Sequence, residues 1–66
     1  MEVFTKQVND NVLSVFKFSH FSADCWTVWA WNYIDGIKFD VVTFELDIQG
    51  YLETVEQLRE DGFLRE

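Results

Sequence analysis

Residues 25–46 read CWTVWAWNYIDGIKFDVVTFEL, and this stretch decides the fold of the chain. Its two halves are rich in aromatic and β-branched residues, which are common in strands, and they hold few good helix formers. Between them, Asp35-Gly36 suits the positive φ angles of a two-residue type I′ turn. We therefore predict a β-hairpin here, although the spacing of the aromatic residues also fits one face of a helix.

Three tryptophans lie close together in the first half of this hairpin, and the strand pairing decides which way each ring points. Counting outward from Asp35-Gly36 places Trp26 on one face of the sheet. Three further aromatic residues then share the opposite face: Trp29, Trp31 and Tyr33. The same count pairs Val42 with Trp29, so that Val42 and Phe44 are expected on this second face as well.

The N-terminal part of the chain is typical of another hairpin. Residues 12–18 are rich in β-branched and aromatic residues, and the turn-forming cluster Asn9-Asp10-Asn11 separates them from residues 2–8. Residues 20–24 have no clean period and several small polar side chains, so we predict that they form a connection.

The C-terminal part carries the clearest helix signals. Asp47 fits an N-cap, Leu46 and Tyr51 fit the two positions of a hydrophobic staple, and Gly62 fits the C′ position after the last turn. The positions expected to face the sheet follow at helical spacing: Ile48, Leu52, Val55 and either Leu58 or Arg59.

These elements predict a single α+β domain over residues 1–66. The expected architecture is an antiparallel sheet of three to four strands, in the order β-β-β-β-α, with the C-terminal helix packed on one face. One short helix covers one face of such a sheet, so the other face is left without a partner from this chain. A chain of 66 residues is also near the size at which self-association often supports a small core.

The formal charge of −7 restricts the classes of partner. Residues 1–39 hold four acids and three bases, a net charge of −1, whereas residues 40–66 hold eight acids and two bases, a net charge of −6. Direct nucleic-acid binding needs clustered Lys and Arg, so we do not expect it. Part of the excess forms a row on the predicted helix: Glu53, Glu56, Glu60 and Asp61. This row is interpreted either as a solvated face or as an imitation of a phosphate backbone.

The residues with reactive side chains do not form a recognisable catalytic or metal site. Cys25 is the only cysteine and His20 the only histidine, and neither has a third orienting group or a glycine-rich oxyanion loop nearby in sequence. We therefore expect no enzyme activity, no metal, no cofactor and no small-molecule substrate. The N-terminus lacks the pattern of a signal peptide and no apolar run is long enough to span a membrane, so a cytoplasmic location is expected.

The sequence points instead to a contact with another protein. Tryptophan and tyrosine dominate protein interfaces, which makes four aromatic residues candidates for the contact: Trp26, Trp29, Trp31 and Tyr33. We predict an acidic, non-enzymatic binding module that inhibits or modulates a larger partner, which is itself a candidate nucleic-acid-binding protein. Small acidic inhibitors of phages and mobile elements have a similar build, in which case the location would be the host cytoplasm. The alternative is a homodimer or assembly subunit that buries the aromatic sheet face.

Overall fold

The computed structural model describes all 66 residues and confirms the predicted α+β architecture. One antiparallel sheet of four long strands and a short fifth packs against a single helix. In chain order the elements are β1 (Glu2–Asn9), β2 (Val12–Ser22), β3 (Cys25–Ile34), β4 (Ile37–Leu46), α1 (Ile48–Glu60) and β5 (Leu64–Arg65). The strands lie in the order β4-β3-β2-β1-β5, so β4 and β5 form the two edges.

The hairpin of β3 and β4 is turned by Asp35 and Gly36, whose φ angles are 52° and 80°. Two successive positive φ angles are the signature of a type I′ turn, which suits the right-handed twist of the flanking strands. The helical alternative for the tryptophan segment is wrong, because residues 25–34 form a strand paired on both sides.

The predicted pairing of this hairpin holds near the turn and fails beyond it. Asn32 lies opposite Phe39 as predicted, but Ala30 then lies opposite Val42 instead of Val41. The extra residue forms a β-bulge that includes Asp40, whose φ angle is 56°. Because side chains alternate along a strand, this insertion reverses the faces of everything after it. Val42 and Phe44 therefore lie on the face of Trp26, which corrects the expectation that they share the face of Trp29.

The strand β2 is longer than the sequence indicates. The segment from His20 to Ser22 was expected in a connection, but it pairs with the start of β3, with His20 opposite Trp26. A bulge between His20 and Ser22 accommodates the irregular sequence, and the turn is reduced to Ala23-Asp24. Hydrogen bonds to a neighbouring strand outweigh weak local preferences here.

Both ends of α1 are formed as predicted. The Asp47 side chain accepts a hydrogen bond from the Gly50 backbone N–H at 2.7 Å, and the Asp24 carboxylate accepts one from the Ile48 N–H at 2.9 Å. At the other end, Gly62 has a φ angle of 90° and the Phe63 N–H donates to the Leu58 carbonyl at 2.9 Å. This is the hydrogen bond of a Schellman motif.

The short strand β5 was not predicted. After Gly62 the chain returns along β1, with Leu64 opposite Thr5 and Arg65 opposite Phe4. Arg65 also forms a salt bridge of 3.2 Å with Glu2, and Glu2 accepts a hydrogen bond from the Tyr51 hydroxyl. These contacts connect the two ends of the chain and pair the outer edge of β1.

The core lies between α1 and one face of the sheet. Its five buried members are Phe4, Phe18, Trp26, Val28 and Leu58. Tyr51 and Val55 of α1 pack against them, whereas Ile48 and Leu52 are about half exposed, so the predicted inward stripe of the helix is only partly correct. The molecule measures 37 × 22 × 16 Å. The helix α1 lacks the length and apolar character required to cross a membrane.

Candidate protein-binding surface

Trp26 is separated from the other two tryptophans by the position of α1. It is 8% exposed and its ring stacks on Tyr51 of α1 at 4.5 Å and on His20 at 4.2 Å. Rings held in this way contribute apolar burial and packing to the core. Of the four aromatic candidates, Trp26 therefore lies under the helix, away from the face that carries the other three.

The side of the sheet opposite α1 is not covered by any element, and we call it the open face. The three remaining candidates lie on it, side by side along β3: Trp29, Trp31 and Tyr33. All three are partly exposed, and the rings of Trp31 and Tyr33 meet edge to face at a centroid distance of 6.3 Å. The structure thus brings these residues into one aromatic strip.

Lysine side chains lie over this strip. The Lys38 Nζ is 3.9 Å from the centre of the Trp31 ring, and the Lys17 Nζ is 5.5 Å from the centre of the Trp29 ring. Both distances are within the range of cation–π attraction. Glu45 lies on the same face, opposite Thr27, so the open face carries little of the excess negative charge of the chain.

The open face also contains a small buried region. Val15 is 4% exposed although no helix covers it, because it lies between Thr5 of β1 and Trp31 of β3. The Trp31 indole Nε1 is buried with it and has no hydrogen-bond acceptor within the chain. A buried donor without an acceptor destabilises a fold by about 1–3 kcal/mol, so this group is unusual in a native protein.

The predicted acidic row lies on the opposite side of the molecule. Its members are all exposed: Glu53, Glu56, Glu60 and Asp61. Glu53 and Asp61 accept hydrogen bonds from glutamine side chains one turn away, at 2.9 and 3.1 Å. The one salt bridge in the molecule joins Glu2 and Arg65, so the row forms no ion pair, and Arg59 in the last turn of α1 is the basic residue beside it.

Cys25 and His20 do not act on each other. The Cys25 Sγ donates to a carboxylate oxygen of Glu45 at 3.6 Å, while His20 stacks on Trp26. Burial raises the pKa of the Cys25 thiol, and the negative charge of Glu45 raises it further. A thiol that keeps its proton is a poor nucleophile. No group of three His, Cys, Asp or Glu side chains is placed to hold a metal ion.

A single depression lies where the two hairpin turns meet. It is open, has a volume of about 370 Å³, and is lined mainly by polar residues that include Gln7, Asp10 and Asp35. A hydrogen bond of 2.9 Å from the Asp35 N–H to the Asn11 carbonyl connects the two turns beneath it. Small-molecule sites are usually enclosed, and this depression is open to solvent.

The edge strand β4 holds more of the large exposed apolar residues than any other element, which the sequence does not predict. Five of the eleven large exposed apolar residues belong to the edge strand β4: Ile37, Phe39, Val41, Val42 and Phe44. Ile48 and Leu52 of α1 are exposed as well. The composition of β4 was visible in the sequence, but its place at an edge of the sheet was not, because strand order depends on long-range pairing.

Comparison with protein-family models, with curated proteins and with solved structures finds no match for this chain.

Proposed function

We propose that this chain is a non-enzymatic protein-binding module that inhibits or modulates a larger protein through the open face. The observation that carries the proposal is the position of α1, which buries Trp26 and leaves Trp29, Trp31 and Tyr33 uncovered. Three adjacent large aromatic rings that stay partly exposed on one strand form the kind of surface that proteins use for contacts.

The distribution of aromatic and charged side chains on the open face favours another protein as the binding partner. The strip has aromatic rings at its centre and polar or charged groups around it, which is the arrangement of a binding hot spot with its rim. Two lysines beside Glu45 do not form the positively charged groove that nucleic acids require.

Affinity capture from the source cell tests this proposal. The wild-type chain is compared with a Trp29→Ala/Trp31→Ala variant, and the proteins recovered are quantified by mass spectrometry. We expect a specific partner to be recovered with the wild type and lost with the variant, since each hot-spot tryptophan contributes at least about 2 kcal/mol, or roughly 30-fold in affinity.

A matched control distinguishes loss of contact from general weakening. Leu52→Ala removes an exposed apolar side chain from the opposite side of the molecule and should leave recovery unchanged. Circular dichroism must show that all variants are folded. Equal recovery with the wild type and the double tryptophan variant would remove the aromatic strip from the proposal.

The acidic row supports a second version of the same function, in which the partner is a nucleic-acid-binding protein and the row occupies its basic groove. Its four carboxylates are exposed and none forms a salt bridge, although Arg59 lies next to Glu60 in the helix. Association driven by such charges weakens strongly with salt. Binding should then fall steeply between low and high ionic strength and fall again in a Glu53→Gln/Glu56→Gln/Glu60→Gln variant, whereas an affinity independent of salt would exclude this version.

A further inference from the structure

The two outermost long strands of the sheet, β1 and β4, differ in whether another strand pairs with their outer side. The outer side of β1 is paired with β5, and the backbone N–H of Glu66 donates to the Val3 carbonyl at 2.9 Å. No element pairs with the outer side of β4 over its ten residues. An unpaired edge of this length is a template for another strand, and natural proteins usually protect it.

The exposed side chains of β4 are unusually apolar for such an edge. Ile37 is 61% exposed, Phe39 44%, Val42 52% and Phe44 38%. Monomeric proteins usually protect such an edge with charged side chains, proline or a bulge. Of these features β4 has the bulge at Asp40 and three charged residues, Lys38, Asp40 and Glu45, but no proline.

The sequence of β4 matches its own reverse in chemical character. Read from both ends of IKFDVVTFEL, Ile37 corresponds to Leu46, Lys38 to Glu45 and Phe39 to Phe44, with Val41 and Val42 at the centre. Two copies running antiparallel about an axis between these valines would place apolar residues opposite apolar ones. The same register would place each lysine opposite a glutamate.

The bulge at Asp40 makes the outer pairs of this register sterically consistent. Residues 39 and 44 are an odd number of positions apart, so a regular strand would direct them to opposite faces. The bulge reverses the alternation, and both phenylalanines lie on the α1 side, opposite Asn32 and Val28 of β3. Lys38 and Glu45 likewise share the open face. The three outer pairs of the self-pairing therefore have both members on the same face, whereas Val41 and Val42, as consecutive residues, alternate at the axis.

The backbone N–H and C=O groups of Lys38 and Glu45 also point in the direction that this register requires. Ile37 closes the two-residue turn with Ile34 and directs its backbone groups to β3, so the next residue, Lys38, directs its groups outward. Beyond the bulge Val42 and Phe44 face β3, and Glu45 faces outward. Lys38 and Glu45 could thus exchange both backbone hydrogen bonds with the corresponding residues of a second copy.

We infer that two copies of this chain associate through β4, antiparallel about a two-fold axis between Val41 and Val42, and form one continuous ten-stranded sheet. The inference goes beyond the proposed function and uses a different surface, since Trp29 and Trp31 lie outside the edge. Both open faces would lie on the same side of the joined sheet, with the two β3 strands about 14 Å apart at ordinary strand spacing. The dimer would then present two aromatic strips to a partner.

Charge and area set the expected affinity. Each copy carries a net charge of −7, which opposes association, and a strand edge of ten residues is only about 33 Å long. An interface of this width is smaller than the standard stable one, so we expect dissociation in the micromolar range. Sedimentation equilibrium of the wild-type chain up to several hundred micromolar measures it.

Charge reversal tests the register. In Lys38→Glu and in Glu45→Lys two attractive pairs become repulsive across the two-fold axis, and each variant should dimerise about tenfold more weakly. The double variant Lys38→Glu/Glu45→Lys restores opposite charges and should recover wild-type dimerisation. Glu45→Lys is decisive because it lowers the net negative charge, so bulk repulsion alone would make it associate more tightly.

Other variants identify the surface involved. Lys17→Glu changes a charge on the open face away from the edge, and Trp29→Ala removes a ring that lies under Lys17 and not under Lys38, so both should dimerise like the wild type. Thermal unfolding of each variant confirms that its monomer is folded. A chain that stays monomeric at several hundred micromolar overturns the inference. So does a dimer that is lost with Trp29→Ala but not with the charge reversals, or one that the double variant fails to restore.

Discussion

Asp40 is the single residue that decides how β4 presents its side chains. Its φ angle of 56° lies in the left-handed region, which aspartate tolerates better than most residues and β-branched residues tolerate poorly. The strain is local, but its effect extends along the strand. Because of the bulge, Val42 and Phe44 join the α1 side and Glu45 joins the open face.

Substitutions at Asp40 should separate backbone strain from side-chain effects. We expect Asp40→Gly to retain or raise the free energy of unfolding, because glycine adopts this conformation without a steric penalty. Asp40→Val should lower it by about 1–2 kcal/mol. Urea unfolding measures both, and Thr43→Val in the same strand is the control for a β-branched residue in ordinary backbone. An Asp40→Val variant as stable as the wild type would show that the bulge is not required.

Tyr51 links the core to the salt bridge at the ends of the chain, and its ionisation should make stability depend on pH. Burial and then the hydrogen bond to Glu2 raise the pKa of Tyr51 to about 12 from its ordinary value of 10. In the unfolded chain this hydroxyl loses its proton first. The stabilising contribution of neutral Tyr51 should therefore be constant below pH 10, and the free energy of unfolding should fall as the pH rises from about 10 to 12.

Phenolate absorbance and denaturant unfolding across this range measure the effect of Tyr51. Tyr51→Phe should remove the corresponding part of the alkaline loss of stability, although it also removes the hydrogen bond to Glu2 at every pH. Tyr33→Phe, on the open face, is the matched control. If Tyr51→Phe and the wild type lost stability in parallel above pH 10, the perturbed ionisation would lie elsewhere.

At the scale of elements, the start of α1 is held by two carboxylates from different parts of the chain. Asp47 is the predicted N-cap, and Asp24 reaches the same helix end from the turn between β2 and β3. Negative side chains near a helix N-terminus also interact favourably with the helix dipole. The two residues fix the helix to the sheet at the end where Trp26 and Tyr51 stack.

Alanine substitution should separate these two contributions. Asp47→Ala is expected to lower the free energy of unfolding by about 1 kcal/mol, the usual effect of losing an N-cap. Asp24→Ala removes one hydrogen bond from outside the helix and should have a comparable or smaller effect. Glu53→Ala, on the exposed side of α1, is the control. If Asp47→Ala left the free energy of unfolding unchanged, Asp24 would be sufficient to cap the helix.

At the scale of the whole molecule, the exposed surface is ordinary in amount and unusual in distribution. The accessible area of 4482 Å² is close to the roughly 4,400 Å² expected for a compact chain of this mass. Only seven residues are buried, however, because the molecule is two layers thick and one layer is a bare sheet. Apolar side chains therefore collect on the open face and on β4, while the acidic row occupies the helix side.

The parts of this fold that the sequence predicts are those with local signals. The Asp35-Gly36 turn needs two adjacent positive φ angles, and the caps of α1 need a particular side chain within a few residues of the helix ends. Each signal acts over a handful of positions and does not depend on the rest of the chain. The placement of Trp26 away from Trp29, Trp31 and Tyr33 followed from that turn by alternation alone.

Other features depend on contacts between distant segments. Packing and hydrogen bonds between strands decide which face α1 covers and where β4 shifts its register. They also decide that the last residues pair with β1 and that β4 is left as a free edge. The sequence by itself determined the elements of this protein and the division of its tryptophans into two sets. Only the tertiary structure decided which set became core and which surface, because burial is a property of the assembled layers and not of any one strand.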